Sequence, residues 1–512
     1  MSMLSLISSI TLVATMTSYK SQVHGHRSLF LNCRPSFSSV APSARPVPLA
    51  KRAAADTVEK VTGLVILVDF PDQKASVSRK EIDDMINKPG YNGLYGTGSA
   101  RDYWLTASHG KLEYGAVVTE YYTTLREKTH YDSTPLGTLE MFQEVLKGME
   151  ARGFDFSPFT RDPQGRLRAL TFLYVGAFDL SDSTGRRGLE PVFIDEEAIP
   201  EEMAMTFDGV KLSSHMVSCI DCFPDKEKAF SKNISIHEMG HMLFHWPDLY
   251  GFDGKIEARG GLGHYCIMSM GLSTLPPPPN PYLRIMQGWE TPVELSMTGT
   301  GVLSVPSNGR KVYRYSRPDT TGEFFLIEAV AKKGLWAGFP DDGLAIYHVL
   351  EQEDFYPEYP IVSIEQADGR MEIEKFINNG GPNDLFHAGN NAAFNSESIP
   401  DSKWWDETPS GLAIMNISAV KDTMTFQTGV ATMLKAAPAP GIRQLRMIGR
   451  TMQLDIRAAG HMQITALAVD GRSYQLTDRP FEAGSHILSL ASIPPGVYIV
   501  TVNGKDARRF SF

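Results

Sequence analysis

The chain contains little cysteine, no excess of positive charge and no long apolar run. Only four of its 512 residues are cysteines. Asp and Glu number 59 against 49 Lys and Arg, and the formal net charge of −10 argues against nucleic acid as a partner, because proteins bind its phosphates through positive surfaces. Beyond the N-terminus no apolar run approaches the roughly 20 residues of a membrane-spanning helix. The sequence therefore predicts no transmembrane segment, and no internal repeat stands out.

The cysteines do not have the spacing of a structural zinc site built from two Cys-x-x-Cys pairs. Cys219 and Cys222 form one such pair, and no second pair completes it. In an oxidising compartment we expect a small disulfide between these two, or a bridge from one of them to Cys266. Cys33 lies in the segment 22–56, where its thiolate could cap a zinc ion and hold a zymogen latent, although a lone cysteine is more often incidental.

The first 56 residues predict export and processing. Residues 3–16 form an apolar stretch that is too short for a membrane span and fits the central region of a signal peptide over 1–21. Residues 22–56 are rich in Ser, Pro, Ala and basic residues, which is typical of a pro-segment or linker. We therefore expect a secreted or extracellular protein, either free or attached to the cell surface.

The run His237-Glu-Met-Gly-His241 predicts a catalytic zinc site. Residues four apart lie on the same helix face, so the two imidazoles can bind one ion. A catalytic zinc site keeps one position open for water, and Glu238 can take a proton from that water. Apolar neighbours place this polar group in a buried surface, where His and Glu cost free energy unless an ion or a partner satisfies them.

The third ligand is predicted from helix geometry. His245 continues the i, i+4, i+8 spacing, but it would lie about 12 Å from His237 along a continuous helix axis. Donor atoms around one zinc lie within about 4 Å of each other, so one helix cannot supply all three. Pro247 disfavours continuation, and the helix should end near Phe244. Asp248 follows the turn and is the predicted third ligand, with His245 as the alternative.

These residues resemble the immune inhibitor A family of secreted zinc peptidases, which are related to metzincins. That family carries His-Glu-x-x-His, a short turn and then Pro-Asp, as in 237–241 and 247–248 here. The resemblance implies His237, His241 and Asp248 as ligands and Glu238 as general base. The family usually has Gly at the turn, whereas this chain has Phe244 and His245, and its spacing to the aspartate is one residue longer than the commonest form.

Other segments resemble the same family in the same order. Residues 261–271 resemble the stretch that holds its methionine turn, a hydrophobic floor under the metal, where Met268 aligns best and Met270 is the alternative. Further similar segments are 99–104, 108–112, 281–289, 324–328 and 343–349. The loop with Asp368 and residues 378–384 is oxygen-rich, which suits calcium, although a plain Asn/Gly turn needs no ion.

The order of the elements predicts an α+β fold with a mixed α and β catalytic core. The resemblance implies that this core, over 57–298, is a metzincin-like zinc peptidase core that contains the active-site helix. Residues 63–70 and 170–175 are expected to form buried strands, and 78–87 a helix with Ser78 as N-cap and Glu81 completing a capping box. A β-rich continuation should follow over 299–432. A linker at 433–441 and a small C-terminal β-sandwich over 442–512, which resembles bacterial sorting domains, should complete the chain.

The predicted function is that of a secreted, zinc-dependent endopeptidase that acts as a monomer on protein or peptide substrates. Two other classes stay open. The chain could be a secreted or surface binding or adhesion protein with a degenerate site, or a zinc hydrolase of a non-peptide amide or ester. Tyr250, His264 and Tyr265 are near the motif in the chain, but the sequence does not identify the group that stabilises the oxyanion or the cleavage preference.

Overall fold

The computed structural model describes residues 58–133, 137–177, 189–196, 199–200, 203–222, 227–250, 261–270, 275–297, 299–304, 311–319, 322–351, 360–429, 442–448, 450–468, 472–494, 497–503 and 505–511. The predicted signal peptide, pro-segment, Cys33 and linker lie outside these residues. No helix in the described part of the chain is long and apolar enough to cross a membrane. The chain divides into two compact units, which meet in the sequence at Thr428 and Gly429.

The first unit mixes α and β structure, with more strand than helix. Its helices are α1 Arg79–Asn87, α2 Ala100–Ala107, α3 Lys128–Asp132, α4 Gly137–Glu150, α5 Ala229–Phe244 and α6 Pro281–Met286. Its strands are β1 Glu59–Asp69, β2 Asn92–Gly93, β3 Gly96–Thr97, β4 Leu112–Val118, β5 Tyr122–Thr123, β6 Leu170–Tyr174, β7 Val192–Ile194, β8 Met205–Phe207, β9 Val210–Leu212, β10 His215–Cys219, β11 Val293–Glu294, β12 Gly299–Ser304, β13 Tyr313–Ser316, β14 Glu323–Val330, β15 Gly343–Leu350, β16 Val362–Ile364, β17 Ile414–Met415 and β18 Thr423–Thr428.

A sheet in the order β4-β1-β6-β10-β7 is the framework against which the His237–His241 motif is placed. Its pairs are parallel except for β7, which runs antiparallel to β10 and is the last described strand on that side. Strand β1 is buried on both faces. Val65 and Leu67 face a cluster that includes α1, α2 and α5, whereas Leu64 and Ile66 face a cluster that includes α4. Side chains alternate along a strand, so one continuous apolar run supplies both cores.

Local sequence signals place the first helix correctly, with one difference. Helix α1 begins after Ser78, whose hydroxyl accepts a hydrogen bond from the Glu81 amide at 3.2 Å. The predicted return bond of the capping box is replaced, because the Glu81 carboxylate accepts hydrogen bonds from the Tyr91 hydroxyl at 2.6 Å and the Leu94 amide at 3.0 Å. The Glu81 side chain therefore binds Tyr91 and Leu94 in the following loop, and not the N-cap amide that the local pattern predicts.

The β-rich continuation shares its core with the region that carries the His237–His241 motif. A second sheet has the order β11-β13-β14-β15-β16, and a third has the order β12-β18-β17. Phe324 and Leu326 from β14 belong to the same buried cluster as Tyr282 and Leu283 from α6. Arg284, 1% exposed at its side chain, lies 2.6 Å from the Glu328 carboxylate of β14. The segment after residue 298 is thus built into the first unit.

The second unit contains strands β19 Ile442–Ile448, β20 Thr451–Ile456, β21 Gly460–Ala468, β22 Ser473–Phe481, β23 Gly484–Ser489, β24 Val497–Val502 and β25 Lys505–Ser511. They form two antiparallel sheets, β19-β20-β23 and β22-β21-β24-β25. Alternate residues of both sheets, including Met452 and Leu454 from β20 and Met462 and Ile464 from β21, enter one buried cluster. Two sheets that bury one shared core have the arrangement of a small β-sandwich.

Candidate metal centre

Helix α5 carries the motif and is buried on nearly all sides. Its residues from Ile234 to Gly240 are all buried, because the helix packs between the first sheet and the loop that follows Leu262. The helix ends at Phe244, where the sequence predicts its end. His245 caps it in the left-handed conformation, with φ 53° and ψ 36°, and its amide donates to the His241 carbonyl at 2.8 Å. This turn brings the chain back toward the motif.

Three acceptor atoms converge where the chain returns. Nε2 of His237 and Nε2 of His241 are 3.2 Å apart, and Oδ1 of Asp248 lies 3.0 Å from the first and 3.3 Å from the second. All three side chains are shielded, with 8%, 15% and 10% of their surfaces exposed. They form the one group of three or more His, Cys, Asp or Glu within the described ranges that could hold a metal ion.

The two histidines are oriented by backbone carbonyls. Nδ1 of His237 lies 2.7 Å from the Ile267 carbonyl, and Nδ1 of His241 lies 2.5 Å from the Trp246 carbonyl. A carbonyl oxygen only accepts, so each Nδ1 carries the proton. In the neutral rings each Nε2 is then an unprotonated acceptor that faces the other and the Asp248 carboxylate. Three acceptor atoms this close together are stable only with a bound cation or with added protons between them. Histidines that bind a metal usually donate their other ring N–H to a carbonyl or carboxylate, as both histidines do here.

The spacing of these atoms fits zinc. Ligands about 2.0–2.1 Å from a tetrahedral ion lie roughly 3.3–3.4 Å from one another. The observed separations of 3.0, 3.2 and 3.3 Å are close to this value. Two neutral imidazoles and one carboxylate are a common donor set for zinc, and three protein ligands leave a fourth position for water. The structure places Asp248 beside both Nε2 atoms, whereas Nδ1 of His245 lies 3.3 Å from Asp195.

Burial and neighbouring charges shift the pKa values of Glu238 and Asp248 in opposite directions. Burial raises the pKa of Glu238, and the charges of Asp248 and Glu190 add to this rise, while the histidines oppose it. Burial would also raise the pKa of Asp248, but the histidines hold it well below its usual range. Burial alone would lower the pKa of His241, yet Asp248 brings it to about 9. Asp248 is therefore a permanent anion suited to binding a cation, and Glu238 is better suited to accept a proton.

Met268 packs against the motif helix at Gly240. It is fully buried, and a Cβ placed on Gly240 would come within 2.4 Å of its sulphur. Met270, the alternative at the sequence level, is also buried. Gly240 therefore has a steric function in the motif, because only glycine lets Met268 approach the helix this closely.

Tyr250, His264 and Tyr265, which are near the motif in the sequence, have different surroundings in the structure. The ring of Tyr250 lies 6.3 Å from the His237 ring. The Tyr265 hydroxyl instead donates to Asp384 at 3.3 Å, and His264 is joined through its amide to the Asn379 carbonyl at 2.8 Å. Sequence reasoning missed Glu190 and Asp195, which flank β7. No local pattern could reveal them, because each is about 50 residues from the part of the helix that it approaches.

The oxygen-rich loop has carboxylates that already accept hydrogen bonds. Asp384 accepts from the Gly381 amide at 2.7 Å as well as from Tyr265, and Asp368 accepts from the Arg370 amide at 2.9 Å. Calcium at this loop stays a prediction. The cysteine alternatives are resolved, since Cys219 is bonded to Cys222 and Cys266 is a buried free thiol.

Comparison with known proteins adds little to this geometry. No family model matches the chain, and no match is found among curated proteins. Solved structures that match include wild-type OgpA from Akkermansia muciniphila, with 9% identity, a TM-score of 0.27 and coverage of 91% of this chain and 97% of that chain. A second wild-type crystal form has 9% identity and a TM-score of 0.28, and the match covers 86% of this chain and 98% of that chain. Catalytically inactive OgpA in complex with an O-glycopeptide has 9% identity and a TM-score of 0.26, and the match covers 91% of this chain and 97% of that chain. TM-scores this low do not establish a shared fold.

Proposed function

We propose that this protein is a zinc-dependent endopeptidase with His237, His241 and Asp248 as metal ligands and Glu238 as general base. The observation that carries the proposal is the convergence of two Nε2 atoms and one carboxylate oxygen at 3.0–3.3 Å, with both Nδ1 protons directed away to carbonyls. A core of the metzincin type is part of the proposal. Its support is the helix that ends at Phe244, the return to Asp248 and the position of Met268 against Gly240.

The chain's residues divide the reaction between them. A bound zinc ion would supply a Lewis acid that polarises the scissile carbonyl and acidifies water. Glu238 takes a proton from the attacking water and later delivers it to the leaving amine. Its burial supports this role, because burial raises the pKa of this carboxyl and so makes the carboxylate a stronger base. Tyr250, whose ring is near His237, is the candidate donor to the oxyanion.

Secretion is part of the same proposal. Its support in the described residues is the Cys219–Cys222 disulfide, because disulfides persist in oxidising compartments. The rival function as a binding protein with a degenerate site is disfavoured by the intact set of ligands and general base. Each of these side chains would be free to change if no reaction depended on it.

Elemental analysis and a protease assay test the proposal together. We expect one zinc per chain and chelator-sensitive cleavage of casein by the processed wild-type protein. Asp248→Ala should lose both the zinc and the cleavage. Met371→Ala, which alters an exposed side chain in another loop, should keep both. Zinc retained by Asp248→Ala would remove Asp248 from the ligand set. A wild-type protein with zinc but no peptidase activity would favour another hydrolase, and one with neither would favour the binding protein.

A further inference from the structure

Four consecutive prolines, residues 276–279, lie in the interior of the first unit. All four are buried, and they belong to no helix or strand. Buried backbone outside regular structure usually has N–H groups that need partners, but proline has no N–H. Its ring also fixes φ near about −65° and restricts the residue before it, so such a run is stiff and extended. We call residues 276–280 the proline strap, because Asn280 continues the run and caps α6.

The proline strap is held through its carbonyl oxygens by two helices. The hydroxyl of Tyr103 in α2 donates to the Pro277 carbonyl at 2.8 Å. The guanidinium of Arg284 in α6 donates to the Pro279 carbonyl at 2.6 Å. Tyr103 and Arg284 are 4% and 1% exposed, so both hydrogen bonds lie in the core. A stiff segment that is bonded on both sides of Pro278 holds that residue in one place.

The same strap contacts the segment that orients His237. The Ile267 amide donates to the Pro278 carbonyl at 3.4 Å, and Nδ2 of Asn280 donates to Sγ of Cys266 at 3.7 Å. The Ile267 carbonyl in turn accepts from Nδ1 of His237, at 2.7 Å. A single residue therefore joins the strap to a metal ligand, and hydrogen bonds in such a buried chain strengthen one another.

The carbonyl partners of the two histidines differ in their distance along the sequence. The Trp246 carbonyl, which accepts from His241, is five residues away, just after the end of α5. The Ile267 carbonyl is 30 residues from His237. Its position is set by packing and not by the geometry of the helix end. The orientation of His237 therefore depends on contacts from outside the motif.

We propose that the proline strap positions the His237 ligand, with Tyr103 as a positioning residue that acts through Pro277, Pro278 and the Ile267 carbonyl. This inference rests on the proposed metal centre. A histidine that donates its other ring N–H to a fixed carbonyl presents Nε2 to the ion in one tautomer and one orientation. If the strap shifts, the carbonyl shifts with it, and the ring must reorient before it binds zinc.

Tyr103→Phe tests this role with the smallest change. It removes the hydroxyl that holds Pro277 and keeps the ring that packs on Trp104, with 4.9 Å between the ring centroids. We expect zinc affinity about tenfold weaker than that of the wild type in competition with a chromogenic chelator, because partners of ligating histidines contribute about 10–100-fold. Tyr315→Phe is the matched control, since its hydroxyl also donates to a backbone carbonyl at 2.8 Å, that of Ser410. This control should bind zinc as tightly as the wild type.

Pro278→Ala tests the stiffness of the strap. The carbonyl that accepts from Ile267 remains, but φ is released and a buried N–H is added. We expect zinc affinity to fall about tenfold here as well. The double variant with Tyr103→Phe should bind zinc no more weakly than the weaker single variant, because both changes loosen the same segment. Urea unfolding of the zinc-free proteins verifies that each variant is folded, and Tyr103→Phe decides the assignment if Pro278→Ala does not fold.

Three results would overturn this assignment and leave the proposed metal centre standing. Equal zinc affinity in Tyr103→Phe and the wild type would show that the strap does not position His237. An equal loss of affinity in Tyr315→Phe would show that affinity follows overall stability. Additive losses in the double variant would show that Tyr103 and Pro278 act separately. A wild-type protein that binds no zinc would instead overturn the metal centre itself, and this inference with it.

Discussion

The sulphur of Met268 lies in the space that a Cβ on Gly240 would need, with only 2.4 Å between the two positions. Gly240 directly precedes His241, so the methionine packs against the backbone that positions a ligand. The ring of Trp246 borders the same space, 3.3 Å from that Cβ position. The distance between Met268 and the motif helix is thus set by the absence of a side chain at Gly240.

Gly240→Ala should therefore disturb the metal centre. The added methyl group would displace Met268 within a buried core, and overpacking of this kind costs about 1–3 kcal/mol. We expect weaker zinc binding in a competition with a chromogenic chelator, and a lower free energy of unfolding. Gly115→Ala is the control, because the nearest atom to its new Cβ would be the Asn87 side-chain oxygen at 3.5 Å, an ordinary contact. Equal zinc affinity in both variants would contradict the steric role.

Glu238→Gln should separate metal binding from turnover. The amide has the same shape as the carboxylate but cannot take a proton from water, and general-base catalysis contributes about 10²–10⁴-fold to a rate. We expect wild-type zinc content with kcat reduced by at least about a hundredfold. Zinc content measured on the same preparation is the internal control. Full activity in this variant would exclude Glu238 as the general base.

Acid stability should depend on His215. This residue is fully buried, its Nδ1 lies 2.8 Å from the Ser213 carbonyl, and burial lowers its pKa to about 4. An unfolded histidine titrates near about 6.5, so between these values the unfolded state binds a proton that the folded state does not. Stability is therefore lost as the pH falls from about 6.5 to about 4, by about 2 kcal/mol between pH 7 and pH 5.

Urea unfolding at these two pH values tests this dependence. His215→Phe keeps an aromatic ring stacked against Phe142, which lies 4.2 Å from the His215 ring, and removes the titration. The wild type should lose about 2 kcal/mol more than the variant between pH 7 and pH 5. All six tryptophans are in the first unit, so tryptophan fluorescence follows that unit alone. Parallel losses in both proteins would assign the acid sensitivity to other groups.

Arg284→Met should be strongly destabilising. The guanidinium lies 2.6 Å from Glu328 and 3.1 Å from Glu290, and its side chain is only 1% exposed. Its removal leaves Glu328 buried without its cation and leaves Glu290 with its His109 contact in place of two cationic partners, which costs about 3–5 kcal/mol. Lys333→Met is the control, since Lys333 and Asp422 are 64% and 59% exposed and such pairs contribute about 0–1 kcal/mol. Similar unfolding free energies for both variants, measured by tryptophan fluorescence in urea, would contradict this network's role.

The local features of the metal helix could be predicted from the sequence. The spacing of His237 and His241, the end of the helix at Phe244 and the effect of Pro247 each depend on neighbours within a few residues. The same holds for Ser78 as an N-cap. The side chain of Glu81 could not be placed in this way, because its partners Tyr91 and Leu94 come from the following loop.

The sequence by itself determined which chemistry the motif can perform, because ligand type and helical spacing are local properties. It left Asp248 and His245 as alternatives, and only the folded turn directs one to the histidines and the other to Asp195. The position of Met268 beneath the motif helix and the contact between His245 and the end of β7 were also decided by tertiary structure. Met268 meets Gly240, and Asp195 meets His245, across 28 and 50 residues. Contacts over such separations depend on how the sheets and helices bury their shared cores, which no local pattern specifies.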